Sequence, residues 1–394
     1  MQTKPMPRED EERFMRRALE FARRGTALAS PNPYVGAVIV DSSGNIVGEG
    51  FHTYDGIKHA EVLAIEQAGE RARGATLYLN LEPCCHTGRT GPCADALIGA
   101  GVARVYAAMP DPNPLVSGKS FVRLRGAGIE VHCGLLELEA RKLNEAFAQY
   151  IRRKTPLVTL KAGMTLDGKI APPYVPANTG RIAEAPGGWI TSAEAHAHVQ
   201  QMRHAADAIL VGVNTVITDN PLLTDRTGLP RRRPLLRVVS DSKLRLPLDS
   251  RLANNVNNDL MVFCSFAEEK KRRELEARGI RVEQVRLGAM DGRPDIASIV
   301  NRLGELEITS LIIEGGALVN WTALAANVVD KVFLFYAPKI LAGTGSVPFA
   351  SGPGFPRISE AATVHSISLH RFGEDFAVEG YIKDPYEGAG CSQA

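Results

Sequence analysis

His59, Glu61, Cys84 and Cys93 are the residues whose types and spacing could do chemistry together. One imidazole and two thiolates fill three positions of a tetrahedral zinc and leave the fourth for water. Zinc bound in this way lowers the water's pKa toward neutrality. A carboxylate two residues from the ligand histidine can take the water's proton and deliver it to a leaving amine without binding the metal. His-x-Glu followed by Pro-Cys and a further Cys is the pattern that zinc-dependent hydrolytic deamination requires. The second cysteine departs from the short spacing, which would place it at Thr87. The next one, Cys93, follows HTGRTGP, so a loop must separate the two thiolates. Cys85 competes as a ligand, but adjacent residues rarely both face one metal. A structural zinc with His86 as its fourth ligand is the alternative, and it would leave no position for water.

These side chains need elements to hold them. Residues 10–29 read as an amphipathic helix, with Phe14, Ala18 and Phe21 at helical spacing, ended by SPNP. YVGAVIV and IVGEGFH flank the turn signal DSSGN and read as a hairpin. HAEVLAIEQAG reads as a helix opening on His59, ATLYLNLEP as a strand, CADALIGAG as a helix with a Gly stop, and ARVYAAM as another strand. That alternation argues for an α/β layered domain. Residues 135–153 read as one helix, with Leu136, Leu143, Phe147 and Ile151 on one face. RRKTP then places a boundary near 152–156, giving domains 8–153 and 154–384.

The second half begins with LVTLKAGMTLDGKIA and a Pro/Gly-rich irregular stretch. Then come a helix over 193–204, strands at AILVG, LLRVVSD and LMVFC, a charged helix over 267–278, the strand SLIIEGG, a helix over 318–326 and the strand KVFLFYAPKI. The alternation suggests a doubly wound sheet. No Gly-x-Gly-x-x-Gly follows its first strand. Gly315-Gly316 does follow a strand and precede a helix, where backbone amides can bind a phosphate, although a lone Gly-Gly is more often a tight turn.

Bulk properties narrow the partners. The 394 residues suit two domains. With 46 basic and 44 acidic residues there is no charge argument for a nucleic-acid or membrane surface. No apolar stretch approaches the roughly 20 residues that span a bilayer, and the charged N-terminus lacks a signal core. A cytoplasmic location is expected. There, the crowding of Cys84, Cys85 and Cys93 means metal rather than disulfide, while Cys133, Cys264 and Cys391 are scattered.

The stretches PNPYVGAVIV, GEGFH, KHAEVLAI, EPCCHTGRTGPCADALI and DPNPLVSGKS together resemble the bifunctional riboflavin-biosynthesis deaminase–reductase family (RibD type). The resemblance continues through LKAGMTLDGKIA, WITS, GVNTVITDNPLLTDR, IIEGGALVN and VEGYI, and so covers nearly the whole chain. The long spacing between the two cysteines is itself typical of that family. The resemblance implies an N-terminal cytidine-deaminase-like three-layer domain and a C-terminal dihydrofolate-reductase-like domain, with zinc and NADPH as cofactors. It implies deamination of 2,5-diamino-6-(5-phosphoribosylamino)pyrimidin-4(3H)-one, then reduction of the ribosyl group to ribityl, giving 5-amino-6-(5-phospho-D-ribitylamino)uracil. The expected partners are that small substrate and further copies of the chain.

By the same resemblance, Asn32 and His52 line the deaminase pocket, and His86 and Arg89 reach the substrate from the loop between the cysteines. A guanidinium suits the ribose phosphate. Without the resemblance, Asn32 could equally serve the PNP turn, His52 a strand end, and Arg89 the solvent. In the reductase half, Met164, Trp189, Thr215, Asp219, Ser242 and the run Gly316, Ala317, Leu318, Val319, Asn320, Trp321, Thr322 match cofactor positions. Lys161, Gly187, Arg203, Leu223, Arg226 and Glu314 match substrate positions. Asp219 and Lys161 are both candidates for the general acid of the reduction. Two departures stand out. Ala171 to Trp189 is longer than the family's usual loop, with Gly187 replacing a common serine. Gly91-Pro92 replaces a proline pair before the second cysteine. A monofunctional deaminase with a degenerate reductase half is the alternative, and the presence of Lys161, Asp167, Asp219, Arg226 and Glu314 argues against it.

Overall fold

The computed structural model describes residues 7–89, 91–173, 188–288 and 292–387. The chain forms two compact units. Unit 1 is the chain up to Lys154, together with Pro230–Arg233 and the chain from Pro385. Unit 2 is Thr155–Leu229 and Pro234–Asp384. The units are therefore not the two uninterrupted stretches that the sequence suggested.

Unit 1 opens with α1 (Arg8–Arg23), which buries Phe14, Met15, Ala18, Leu19 and Ala22 along one face at helical spacing. The hairpin β1 (Gly36–Val40) and β2 (Ile46–Phe51) turns where Asp41 Oδ1 accepts the backbone N–H groups of Ser43 and Asn45. Then follow α2 (Ala60–Ala68), β3 (Thr76–Leu79), α3 (Cys93–Ala100), β4 (Arg104–Ala107), α4 (Lys119–Gly126), β5 (Glu130–Cys133), α5 (Glu137–Leu143) and α6 (Glu145–Arg153). The sheet order is β2-β1-β3-β4-β5, with β1 antiparallel to both neighbours and β3, β4 and β5 parallel. Helices α2, α3 and α4 pack in succession, while α1 packs on β1 and β3 and meets α5. Gly48 and Gly50 of β2 face the backbone carbonyls of Ala64 and Ala60, where no Cβ would fit. The missing side chains let α2 approach the sheet closely.

The single helix expected over 135–153 is instead two, α5 and α6, broken at Asn144. The buried Asn144 side chain explains the break. Its Oδ1 accepts the Tyr34 N–H at 2.8 Å and its Nδ2 donates to the Tyr34 carbonyl at 3.0 Å, which holds the chain just after the PNP turn. The strand β5 and the helix α4 were not anticipated from the sequence. Tyr386 returns to this unit's core, donating its hydroxyl to the Arg141 carbonyl.

Unit 2 contains β6 (Leu157–Thr165), β7 (Lys169–Ala171), α7 (Ala193–Ala205), β8 (Ala208–Gly212), α8 (Val213–Asp219), β9 (Leu236–Ser240), β10 (Leu260–Cys264) and α9 (Glu269–Glu276). After these come β11 (Arg281–Gln284), α10 (Ile296–Glu305), β12 (Ser310–Ile313), α11 (Ala317–Ala325), β13 (Lys331–Ala337), β14 (Val347–Pro348), β15 (His365–Phe372) and β16 (Asp375–Tyr381). The nine-stranded sheet runs β11-β10-β9-β8-β12-β6-β13-β16-β15. It is parallel from β11 to β13, then closes with the antiparallel β16 and β15. Consecutive strand residues enter different cores. Ile209, Val211, Val239 and Val262 join one cluster, while Leu210, Val238, Met261 and Phe263 join another. Both faces are covered, as a parallel sheet requires. The carboxyl ends of β8, β9, β12 and β6 consequently lie along one edge, where ligands bind in open α/β sheets.

Candidate functional sites of the two units

In unit 1 the His59 ring lies at the start of α2, Cys84 follows β3, and Cys93 is the first residue of α3. His59 Nδ1 is 3.1 Å from Cys93 Sγ and 3.5 Å from Cys84 Sγ. The three ligand atoms all lie within 4.8 Å of one another. Among the described residues no other His, Cys, Asp or Glu joins such a group. Cys85 is therefore outside it, and the exposed His86 supplies no fourth ligand. The backbone keeps the sulfurs together across their nine-residue separation: Cys93 N–H donates to Cys84 Sγ and Ala94 N–H to the Cys84 carbonyl. A hydrogen bond with Cys93, aided by another with His59 and opposed by burial, holds the Cys84 thiol at about 4. Cys93 is pushed up in the same pair, chiefly by that hydrogen bond, so the pair gives up its first proton readily and holds the second between the two sulfurs. The Cys84 bond raises His59's pKa.

Glu61 sits in the first turn of α2, 3% exposed. Its Oε2 is buried with no hydrogen-bond partner, and burial raises its carboxyl pKa. A buried polar atom without a partner is rare enough to need an explanation. One imidazole, two thiols and an adjacent carboxylate with one unpartnered oxygen together fit a zinc ion with an open position.

The residues beside this group are also held by hydrogen bonds. His52 Nδ1 donates to the Lys58 carbonyl (3.1 Å), which leaves Nε2 to accept from Asn32 Nδ2 at 2.9 Å. Burial lowers the His52 pKa and favours that neutral tautomer. The His52 and His59 rings are 5.1 Å apart, so both sequence-selected residues lie beside the metal group. Arg89 is exposed, and its Nη1 donates to the Tyr54 carbonyl.

In unit 2, Glu314 follows β12 and is gripped from two directions. Arg203 of α7 donates Nε to Oε1 at 2.8 Å and Nη2 to Oε2 at 2.9 Å, and Lys161 of β6 lies 3.4 Å from Oε2. Burial would push the Glu314 carboxyl up, but the Lys161 and Arg203 charges outweigh it and hold it at about 2. Met164 is buried in β6, three residues beyond Lys161. Leu223 is buried at φ 56, and Arg226 is exposed with its N–H on Gln200. Gly316 caps α11. A Cβ there would lie 3.7 Å from Thr215 Oγ1, in ordinary contact, so Thr215 of α8 stands beside the start of α11. A glycine-led helix start with no side-chain cap on its N–H groups is the kind of element that takes a cofactor phosphate. Ala317 is buried, Leu318 is exposed and Val319 packs against the sheet core. Asn320 donates to the Phe349 carbonyl, Trp321 meets Phe355 edge-to-face and Thr322 donates to the Leu318 carbonyl, so these three have internal partners. Ser242 accepts two N–H groups on its backbone carbonyl after β9, and Asp219 ends α8 exposed. Trp189 is exposed, its ring 3.8 Å from His196. Gly187 and most of the long loop lie outside the described residues.

The cytidine and deoxycytidylate deaminase zinc-binding region matches residues 8–109, and the RibD C-terminal domain matches residues 156–378. The riboflavin biosynthesis protein RibD of Actinobacillus pleuropneumoniae is 40% identical over 372 residues, covering 94% of this chain and 95% of that one. The chain belongs to the RibD family. The RibD protein of Escherichia coli K12 is 37% identical across 93% of this chain and 97% of its own. Among solved structures, Acinetobacter baumannii RibD superposes with a TM-score of 0.79 at 33% identity, over 95% of this chain and 99% of that one. The Thermotoga maritima diaminohydroxyphosphoribosylaminopyrimidine deaminase/5-amino-6-(5-phosphoribosylamino)uracil reductase superposes with a TM-score of 0.78 at 35% identity, with the same coverage. As a RibD-family member the chain is a bifunctional enzyme, with a cytidine-deaminase-like zinc domain and a dihydrofolate-reductase-like domain that uses NADPH. The matches span both halves and lend nothing to a monofunctional reading.

Sequence reasoning passed over several residues that shape the RibD deaminase site. Asn80 is fully buried, accepting Gly36 N–H and donating to the Tyr34 carbonyl. Glu82 accepts from Asp111, Gly118 and Ser120 and ties down the DPNPLVSGKS segment. A polar residue amid a hydrophobic strand end was their one sequence signal.

Proposed function

We propose that residues 8–153 form the deaminase, hydrolysing the amine of 2,5-diamino-6-(5-phosphoribosylamino)pyrimidin-4(3H)-one. Residues 154–384 then reduce the ribosyl group with NADPH to give 5-amino-6-(5-phospho-D-ribitylamino)uracil. The observation carrying this reading is the His59, Cys84 and Cys93 group with the unpartnered Oε2 of buried Glu61 beside it. When bound there, zinc supplies a Lewis acid that acidifies water. Glu61 takes the water's proton and returns it to the leaving amine. Its burial raises its proton affinity toward what that double task needs. Asn32 and the neutral His52 hold the base, and Arg89 reaches toward the phosphate with His86 in the same loop.

In the reductase unit, NADPH supplies the hydride. The start of α11, with Thr215 and Ser242, holds the cofactor with Met164, Trp189 and Asp219 around it. The Arg203–Glu314–Lys161 group, with Leu223, Arg226 and the Gly187 segment, holds the sugar phosphate. Lys161 is favoured over the exposed Asp219 as proton donor, because the Glu314 carboxylate orients its ammonium.

Both steps should be assayed on one preparation of known zinc content. Ammonia release with close to one zinc per chain, followed by NADPH oxidation on the deaminated product, is expected. Deamination without NADPH oxidation would sink the two-reaction reading. The same reading places the enzyme in the cytoplasm, where clustered thiols stay reduced. Among the described residues no helix is long and apolar enough to cross a membrane. It also makes the enzyme a homo-oligomer, supported by the exposed Ile367 and Leu369 on the edge strand β15. A solution mass of one chain at assay concentration would refute the oligomer.

A further inference from the structure

Residues 231–233 are three consecutive arginines between Pro230 and Pro234, and Pro230–Arg233 belongs to unit 1 although the chain on either side belongs to unit 2. The segment is held by specific bonds. Arg232 N–H donates to the Ala27 carbonyl at 3.0 Å, and Arg233 Nη2 donates to Ser30 Oγ at 3.2 Å. Ser30 is two residues from Asn32 of the deaminase pocket, and Tyr54 is two residues from His52.

Tyr54 is where the charges meet. The Arg232 guanidinium carbon lies 4.2 Å from the Tyr54 ring centroid, and that of Arg89 lies 4.7 Å from the same centroid. Among the described residues no carboxylate pairs with either guanidinium. Arg232 Nε is buried with no hydrogen-bond partner. Two cations on one ring repel each other, and the cation–π attraction to each is worth only about 0.5–2 kcal/mol. A buried donor without an acceptor adds a further cost. A dianion bridging the two arginines would remove both penalties, and guanidinium geometry suits phosphate oxygens.

We propose that Arg232 is a specificity-determining residue of the deaminase, binding the phosphomonoester of the substrate together with Arg89. This rests on the phosphoribosylated pyrimidine assigned above. A group remote from the reacting carbon binds substrate and transition state alike. Its loss therefore raises KM and leaves kcat in place.

The test uses the full zinc-loaded chain, with Arg232→Ala and Arg232→Lys. Each is assayed on the phosphorylated pyrimidine and on its dephosphorylated riboside, with inorganic phosphate as a competitive inhibitor. For Arg232→Ala the KM for the phosphorylated substrate should rise about tenfold or more, with kcat within about twofold, from the loss of one charge-assisted contact. Turnover of the riboside should be unchanged and phosphate inhibition should weaken. Arg232→Lys should recover part of the preference, since it restores charge without the fork. Unchanged discrimination between phosphorylated substrate and riboside in both variants would overturn the proposal. So would an equal loss on both substrates, which marks a purely structural role. If the parent chain itself fails to deaminate the phosphorylated pyrimidine, the reading of the substrate fails instead.

Discussion

Replacing Glu61 with Gln keeps the shape of the side chain and removes its ability to carry a proton. The structure lets the consequences be separated. Glu61 contributes no atom to the group of ligand atoms formed by His59, Cys84 and Cys93, so zinc content should stay close to one per chain. The unpartnered Oε2 becomes an amide without an acceptor, which costs about 1–3 kcal/mol of unit 1 stability. A drop of that size leaves the chain folded at assay temperature. Catalysis loses more. One positioned acid–base group contributes about 10²–10⁴ in rate, and here one carboxylate serves two transfers, from water and to the leaving amine. The kcat for deamination should fall at least about 10³-fold, which is about 4 kcal/mol of transition-state stabilisation. The assay is ammonia release under saturating substrate, with zinc measured on the same sample and NADPH oxidation on the deaminated product as an internal control. A zinc-replete Glu61→Gln enzyme that retains more than about a tenth of parental kcat would refute the proton-shuttle argument.

Other perturbations test the remaining parts. Glu314→Gln leaves the half-buried Arg203 and Lys161 without their carboxylate and should destabilise unit 2 by about 3 kcal/mol while abolishing NADPH oxidation; an unchanged melting profile would contradict it. Because the folded Glu314 carboxyl is depressed to about 2, its stabilisation is complete above the ordinary carboxylate range and is lost as pH falls through about 2. Asp111 behaves in the opposite sense: burial foremost, with Glu82 nearby, raises its carboxyl to about 7. Its contribution is complete below the ordinary carboxylate range and is lost as pH rises through about 7, so Asp111→Asn should flatten that decline and leave unit 1 more stable than the parent at alkaline pH. Parallel stability curves for the two proteins would rule this out. Cys93→Ser should lower zinc content and deamination together yet spare NADPH-dependent reduction, and persistent deamination without metal would count against the ligand set.

Much of the deaminase site was legible in the sequence because its determinants are local. His59 and Glu61 share the first turn of α2, and the Pro-Cys pairs mark a strand end and a helix start, so residue type and order carry the chemistry. The hairpin and the Gly stop of α3 follow equally local rules of turn and cap. Only tertiary structure could decide the rest. Whether Cys85 or Cys93 faces Cys84 depends on how the intervening loop folds back. The backbone bonds from Cys93 and Ala94 to Cys84 settle it. Asn144 breaks a helix that periodicity would continue, because Tyr34, 110 positions away, takes both ends of its amide. Lys161, Arg203 and Glu314 were separate charges in the sequence; parallel pairing of β12 with β6 brings Glu314 beside Lys161, and α7 supplies Arg203. Nothing near the arginines at 231–233 in the chain reveals that they join unit 1 beside Tyr54. Helical and strand periods report which face of an element is apolar, whereas the partner across that face is set by chain closure over a hundred residues or more.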